Sequence, residues 1–280
     1  MKINSLLKDY ARELEDVSLR PHEEAEEICM SVLSLKSKSD LYTSEVDFDF
    51  TFQNKVSSVL SFRKQNVPLQ YLLPDVNFYG LNFAVKEGVF IPRPETEIVV
   101  EYILKNFSGE GNLKILEIGT GSGIISICLT KNLAQCRIVA TDISSYAISQ
   151  ACKNAVLNDC RADISFIRGN LFDFLKEKRC FDLIVSNPPY IGQRDFESLS
   201  EEVKKEPHVA LFGGEEGFEF SLKLIESGGN YIKENGKIVL EIDPRHRKMY
   251  QDCLSAEYKI EFIKDLQNKD RVMIVELNNG

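Results

Sequence analysis

From Lys114 onward the chain alternates short apolar runs with helical stretches, and no other feature limits its possible folds so strongly. Lys114–Ile118, Arg137–Thr141, Ile164–Ile167, Phe181–Ser186 and Lys237–Ile242 have the length and make-up of buried strands. Helical patterns separate them, at about 122–133, 144–158 and 216–233, with another near 245–255. Repeated strand–helix units build a mostly parallel α/β sheet covered on both faces, with ligands at the carboxyl ends of the strands. Tyr258–Ile263 and Val272–Leu277 have no helix between them. They add an antiparallel hairpin and bring the expected sheet to seven strands.

Ahead of this region the periodicity is helical. Leu6, Leu7, Tyr10, Ala11 and Leu14 share one face, and Ala25, Ile28, Cys29, Val32 and Leu33 share another. Pro21 followed by acids is a helix start. A third helix carries Phe52, Val56, Val59 and Leu60 and ends before Pro68. None of these stripes is chemically reactive in type, so residues 1–73 read as a small helical bundle for partner docking. Residues 74–90 read as a hairpin linker turning near Gly80, and 91–280 as the domain that carries the chemistry. That domain opens on Ile91-Pro92-Arg93-Pro94-Glu95-Thr96-Glu97, a stiff lead-in to a helix running to about Phe107. A lead-in explains every residue of this segment except Arg93.

Two loops at strand ends carry the candidate chemistry. Glu117-Ile118-Gly119-Thr120-Gly121-Ser122-Gly123 joins the first parallel strand to a helix, and its glycines allow a sharp turn and close approach to a ligand. The spacing is GxGxG, so the dinucleotide fingerprint is incomplete, and no Gly-Lys-Ser/Thr follows to hold a triphosphate. Asp142 ends the next strand, where a carboxylate can accept both hydroxyls of a ribose. Glu117 would repel a pyrophosphate but suits the ammonium of an amino-acid-bearing nucleoside. S-adenosyl-L-methionine is such a ligand and NAD is not. Asn170 and Leu171, after the third strand, are candidates for hydrogen bonding and packing against the adenine.

The second loop is Asn187-Pro188-Pro189-Tyr190. Its prolines have no N–H for a sheet ladder, so the strand must stop there. The Asn187 side-chain oxygen and the Pro188 carbonyl are acceptors able to take both hydrogens of one planar NH2 group, and Tyr190 offers it a flat face.

Composition narrows the partners. The formal charge is −9, which disfavours a polyanion as substrate, so no direct nucleic acid is expected. Seven cysteines without a CxxC, and three scattered histidines, suit a reducing cytoplasm and give no metal-ligand pattern. The segment Met1–Tyr10 has no secretory or transit character, and no stretch is long enough to span a membrane.

Assembled, these residues resemble the HemK/PrmC family, the peptide-chain release factor glutamine N5-methyltransferases. The likeness runs from Pro68 to Leu277. It includes Phe78-Tyr79-Gly80, Ile91–Glu97, the Gly119–Gly123 loop, Asn187–Tyr190, and Glu206-Pro207 through Gly213-Gly214. The resemblance implies a Rossmann-like class I methyltransferase sheet behind a small N-terminal helical bundle. Its cofactor would be S-adenosyl-L-methionine, leaving as S-adenosyl-L-homocysteine. Gly119, Thr120, Gly121, Ser122, Gly123, Asp142, Leu171 and Asn187 would line that site, joined by Glu117 for its charge and Asn170 for its position after the third strand. Asn187, Pro188, Pro189 and Tyr190 would hold the glutamine of a release factor Gly-Gly-Gln loop, with Asn187, Pro188 and Tyr190 as the catalytic set. A cytoplasmic monomer acting in translation termination is expected. A similar Asp/Asn-Pro-Pro-Tyr occurs in DNA adenine methyltransferases, so an adenine-N6 methyltransferase on DNA or RNA is an alternative, and a ribosomal-protein glutamine methyltransferase is a further one. A nucleotide-binding protein without chemistry is the alternative outside enzymes.

Overall fold

The computed structural model describes residues 3–35, 37–43, 48–254 and 256–278. Met1 and Lys2 of the segment read for a leader, and the expected helix end at Ser255, lie outside them. The chain divides into two units, Met1–Asp75 with Ser200–Lys205, and Val76–Leu199 with Glu206–Gly280.

The first unit holds helices α1 (Ile3–Leu14), α2 (Pro21–Leu33), α3 (Lys38–Thr43), α4 (Phe50–Arg63) and α5 (Leu69–Leu72). Its core joins the two predicted stripes, with Leu7, Leu14, Ile28 and Cys29 at 1% exposure or less, to Val56 and Leu60 of α4. Pro21 stands in the first turn of α2, as expected, and the Asp49 side chain caps α4 by accepting from the Phe52 N–H at 2.7 Å.

The second unit opens on a hairpin, β1 (Val76–Phe78) and β2 (Leu81–Phe83). Tyr79 and Gly80 both have positive φ, 50° and 74°, the geometry of a two-residue turn that matches strand twist. Phe78 and Phe83 are buried in the same cluster as Val99 and Ile103 of α6 (Thr96–Phe107). Then come β3 (Leu113–Ile118), α7 (Ile124–Asn132), β4 (Cys136–Asp142), α8 (Ser145–Leu157), β5 (Ile164–Arg168) and β6 (Phe181–Ser186). Four short pieces follow, β7 (Ile191–Gly192), α9 (Gln193–Glu197), α10 (His208–Leu211) and β8 (Phe212–Gly214). The unit closes with α11 (Glu219–Gly228), β9 (Ile232–Glu241), α12 (Arg247–Cys253), β10 (Tyr258–Lys264) and β11 (Asp270–Leu277).

The seven expected strands form one sheet in the order β10-β11-β9-β6-β3-β4-β5. The five strands from β9 to β5 are parallel, and β11 is antiparallel to both neighbours. Side chains alternate across it. Ile115, Leu183 and Val239 pack toward α6 and α7, whereas Leu116, Ile184 and Leu240 pack toward α11 and α12. After β3 the chain winds outward through β4 and β5, and it then returns to β6 on the other side of β3. Strand order therefore reverses at β3 and β6, which opens a crevice at their carboxyl ends.

Candidate functional site

An open-mouthed cavity of about 150 Å³ lies in that crevice, lined by the residues that follow β3, β4 and β6. Of the residues singled out by sequence, Glu117, Gly119, Thr120, Gly121, Ser122, Asp142, Asn170, Leu171, Asn187, Pro188 and Pro189 line it. Gly123 and Tyr190 are not among the lining residues.

The glycine loop turns on positive φ at Gly119 (72°), Gly121 (56°) and Gly123 (84°). Gly123 has a packing role. A Cβ there would lie 3.1 Å from Ala151 Cβ and 3.2 Å from Ile127 Cδ1, so its hydrogen lets α7 start against α8. Asn154 of α8 fixes the loop from behind, donating to the carbonyls of Ser122 at 2.8 Å and Ala84 at 3.0 Å.

Glu117 is 1% exposed. Its Oε2 accepts from Thr120 Oγ1 at 2.7 Å, from the Ser126 N–H at 3.3 Å and from the Ser126 hydroxyl. Burial pushes its pKa up to about 7, against the pull of those hydrogen bonds. A cation arriving at this carboxyl would supply the charge partner that burial makes it need. Asp142 Oδ2 accepts from the Gly121 N–H at 2.9 Å and Oδ1 from the Ser144 N–H at 2.8 Å. These two bonds orient the carboxylate and leave lone pairs on both oxygens. Burial also raises its pKa. Leu171 is a buried apolar wall, held at φ 46°, and Asn170 beside it is exposed.

Asn187 leaves β6 half-buried and donates from Nδ2 to Thr96 Oγ1 at 3.0 Å. Thr96 is fully buried and donates in turn to Glu241 Oε2 at 2.6 Å. The Tyr190 backbone is pressed against a glycine turn. A Cβ on Gly213 would lie 2.5 Å from Pro189 O and 2.9 Å from Tyr190 Cα, and one on Gly217 would lie 2.6 Å from Tyr190 O. Burial first, then the charge of Glu241, raise the Tyr190 hydroxyl well above its ordinary pKa, so it stays protonated at neutral pH.

Three contributors escaped the sequence reading. In sequence Thr96 is only part of a helix lead-in, and Glu241 only a member of the apolar run Lys237–Ile242. Nothing local marks Gly217, and Gly213 is marked only by the family likeness. An acid within the otherwise apolar run Ile238–Ile242 is the available signal for Glu241. Among the described residues no group of three or more His, Cys, Asp or Glu is arranged to hold a metal ion. Nor is any helix there long and apolar enough to cross a membrane.

The sheet order, the glycine loop and the cavity at the switch point together define a class I methyltransferase. The methyltransferase small domain family matches residues 80–214. A methyltransferase from Pyrococcus furiosus shares the fold with a TM-score of 0.53 and 22% identity, over 71% of this chain and 90% of that one. The release factor glutamine methyltransferase of Thermodesulfovibrio yellowstonii is 38% identical, over 90% of this chain and 91% of its own length. That of Streptococcus pneumoniae is 34% identical over 99% of both. The chain belongs to the release factor glutamine methyltransferase family.

Proposed function

We propose that the protein transfers a methyl group from S-adenosyl-L-methionine to the side-chain amide nitrogen of the glutamine in a release factor Gly-Gly-Gln loop. The observation that carries this reading is that one cavity is lined by two acids at one set of strand ends and by Asn187 and Pro188 at the neighbouring one. Glu117 and Asp142 are suited to the ammonium and the ribose of the cofactor, and Leu171 and Asn170 to its adenine. When bound, the cofactor supplies an electrophilic sulfonium methyl group.

An amide nitrogen is a weak nucleophile because its lone pair is delocalised into the carbonyl. The Asn187 oxygen and the Pro188 carbonyl accept its two hydrogens, fix its direction of attack and favour a pyramidal nitrogen. Once the nitrogen gains the methyl carbon, and the sulfur keeps the pair of the broken C–S bond, the N-methylated amide cation loses a proton to water. No side-chain base is needed. Tyr190 serves in this scheme by stiffening the loop.

The test is methyl transfer from labelled cofactor to a release factor, beside the same factor with its loop glutamine replaced by glutamate. Label on the first alone supports the reading. Equal label on both, or label on DNA or RNA only, overturns it.

A further inference from the structure

Thr96 lies 91 positions before Asn187 and 145 before Glu241, yet the three side chains form one hydrogen-bonded line. The sheet explains the meeting. β6 and β9 run parallel with Ser186 opposite Leu240, so Asn187 and Glu241 leave neighbouring strands side by side. Val239 packs in the same cluster as Val99 and Ile103 of α6. Strand side chains alternate, so Glu241 shares that face and meets the first residue of α6.

Donor counting fixes the direction of both bonds. A threonine hydroxyl has one proton, and an ionised carboxylate can only accept. Thr96 gives its proton to Glu241 and can therefore only accept from Asn187. The carboxamide must turn its nitrogen to Thr96, which leaves its oxygen for the cavity. Shape cannot make this choice, because the two flips of a carboxamide have nearly the same outline. The wrong flip would present an NH2 group to the NH2 group of the substrate.

We propose that Thr96 and Glu241 are positioning residues for the methyl transfer, a two-bond relay that turns the Asn187 oxygen toward the cavity. The inference rests on the reading of Asn187 as an acceptor for the substrate amide. The nearby cations are engaged elsewhere: Arg93 pairs with Glu206, and Arg271 with Asp265 and Glu95. A neutral residue would be easier to bury at position 241 if packing alone were served. Protonation of Glu241 reverses the line. The carboxyl then donates to Thr96, Thr96 donates to the Asn187 oxygen, and the nitrogen turns to the cavity. Burial and the charge of Glu95 push Glu241 up to about 7 against the Thr96 hydrogen bond and the charges of Arg271 and Arg93, and Tyr190 is a further titratable neighbour.

The experiment compares Thr96→Val, which removes the hydroxyl at constant shape, with Thr96→Ser, which restores it. It reads kcat for glutamine methylation, the Kd of the cofactor, and the side-chain NH2 resonance of Asn187, assigned by its loss in Asn187→Ala. The relay predicts a kcat at least about tenfold lower for Thr96→Val with cofactor Kd within about twofold, and recovery to within about threefold in Thr96→Ser. It also predicts an Asn187 resonance that moves in Thr96→Val, and titrates near pH 7 in the wild type but not in Glu241→Gln. Unchanged kcat, or an unmoved resonance in an active wild type, overturns the relay. If the wild type leaves glutamine unmethylated while the resonance still follows Thr96 and Glu241, the relay stands and the assigned substrate falls.

Discussion

Arg93 and Glu206 are joined across 113 positions of sequence, and their pairing ties together two walls of the cavity. The Glu206 carboxylate is 1% exposed, and one of its oxygens takes the Arg93 guanidinium. The other accepts from the Ile91 N–H at 2.9 Å. Pro92 and Pro207, next to the two partners, both line the cavity. This accounts for the one residue of the Ile91–Glu97 segment that a helix lead-in does not require.

Loss of the arginine should therefore loosen the cavity as well as the fold. Arg93→Ala leaves a buried carboxylate with one backbone donor. Since Arg93 is itself 29% exposed, the expected loss is about 2 kcal/mol, below the range of about 3–5 kcal/mol for breaking a fully buried pair. Chemical denaturation followed at the second unit, with cofactor Kd alongside, checks this. A stability change under about 0.5 kcal/mol would mean that the pair is not needed.

Glu117 gives a pH prediction of definite sign. Its pKa is raised to about 7, so the free protein holds the proton below that pH and the charge above it. Binding an ammonium requires the charge. Cofactor affinity should rise about fivefold between pH 6 and 7 as the ionised fraction grows from about 10% to about 50%, before the ligand's own α-amino group deprotonates near pH ~8. Folding runs the other way. The folded state keeps a proton that the unfolded chain releases near pH ~4.5, so this acid's contribution is present below about 4.5 and lost as pH rises through about 7. Titration calorimetry at the two pH values checks the first part, and Glu117→Gln should flatten the dependence while weakening binding.

Gly213→Ala tests whether the turn behind Tyr190 sets the geometry of the motif loop. The new methyl would lie under 3.0 Å from Gly217 O, Pro189 O and Tyr190 Cα, all backbone atoms that cannot step aside alone. A kcat reduced at least about tenfold, with cofactor Kd held within about twofold, is expected. Equal loss in both would point to general unfolding.

Arg63 in the first unit is 1% exposed and holds Glu24 and Glu202, along with the Val67 carbonyl at 2.6 Å. Arg63→Met removes a charge that answers two carboxylates, and should destabilise that unit by about 3 kcal/mol. Helical circular dichroism during denaturation would register this as an earlier transition.

Much of the molecule was legible because its signals are local. Each of the seven strands carries its own apolar run, Gly119 and Gly121 mark a loop that must turn on positive φ, and Pro188-Pro189 must end a strand. What escaped was set by sheet order. Nothing near Thr96 announces Asn187, and nothing near Glu241 announces Thr96, because their meeting depends on β9 lying beside β6 under α6. Gly123 and Tyr190 fit the local patterns that singled them out, but Gly123 answers to Ala151 and the Tyr190 backbone to Gly213 and Gly217, contacts that spacing cannot reveal.

The proposed reaction depends on Asn187 to orient a glutamine amide for methylation. Its most direct measurement is mass spectrometry of the Gly-Gly-Gln peptide of a release factor after incubation with labelled S-adenosyl-L-methionine and either wild type or Asn187→Ala. One added methyl group on the glutamine is expected with the wild type, and at least about a hundredfold slower labelling with the variant. Near-normal labelling by Asn187→Ala, or label anywhere but that glutamine, would contradict it.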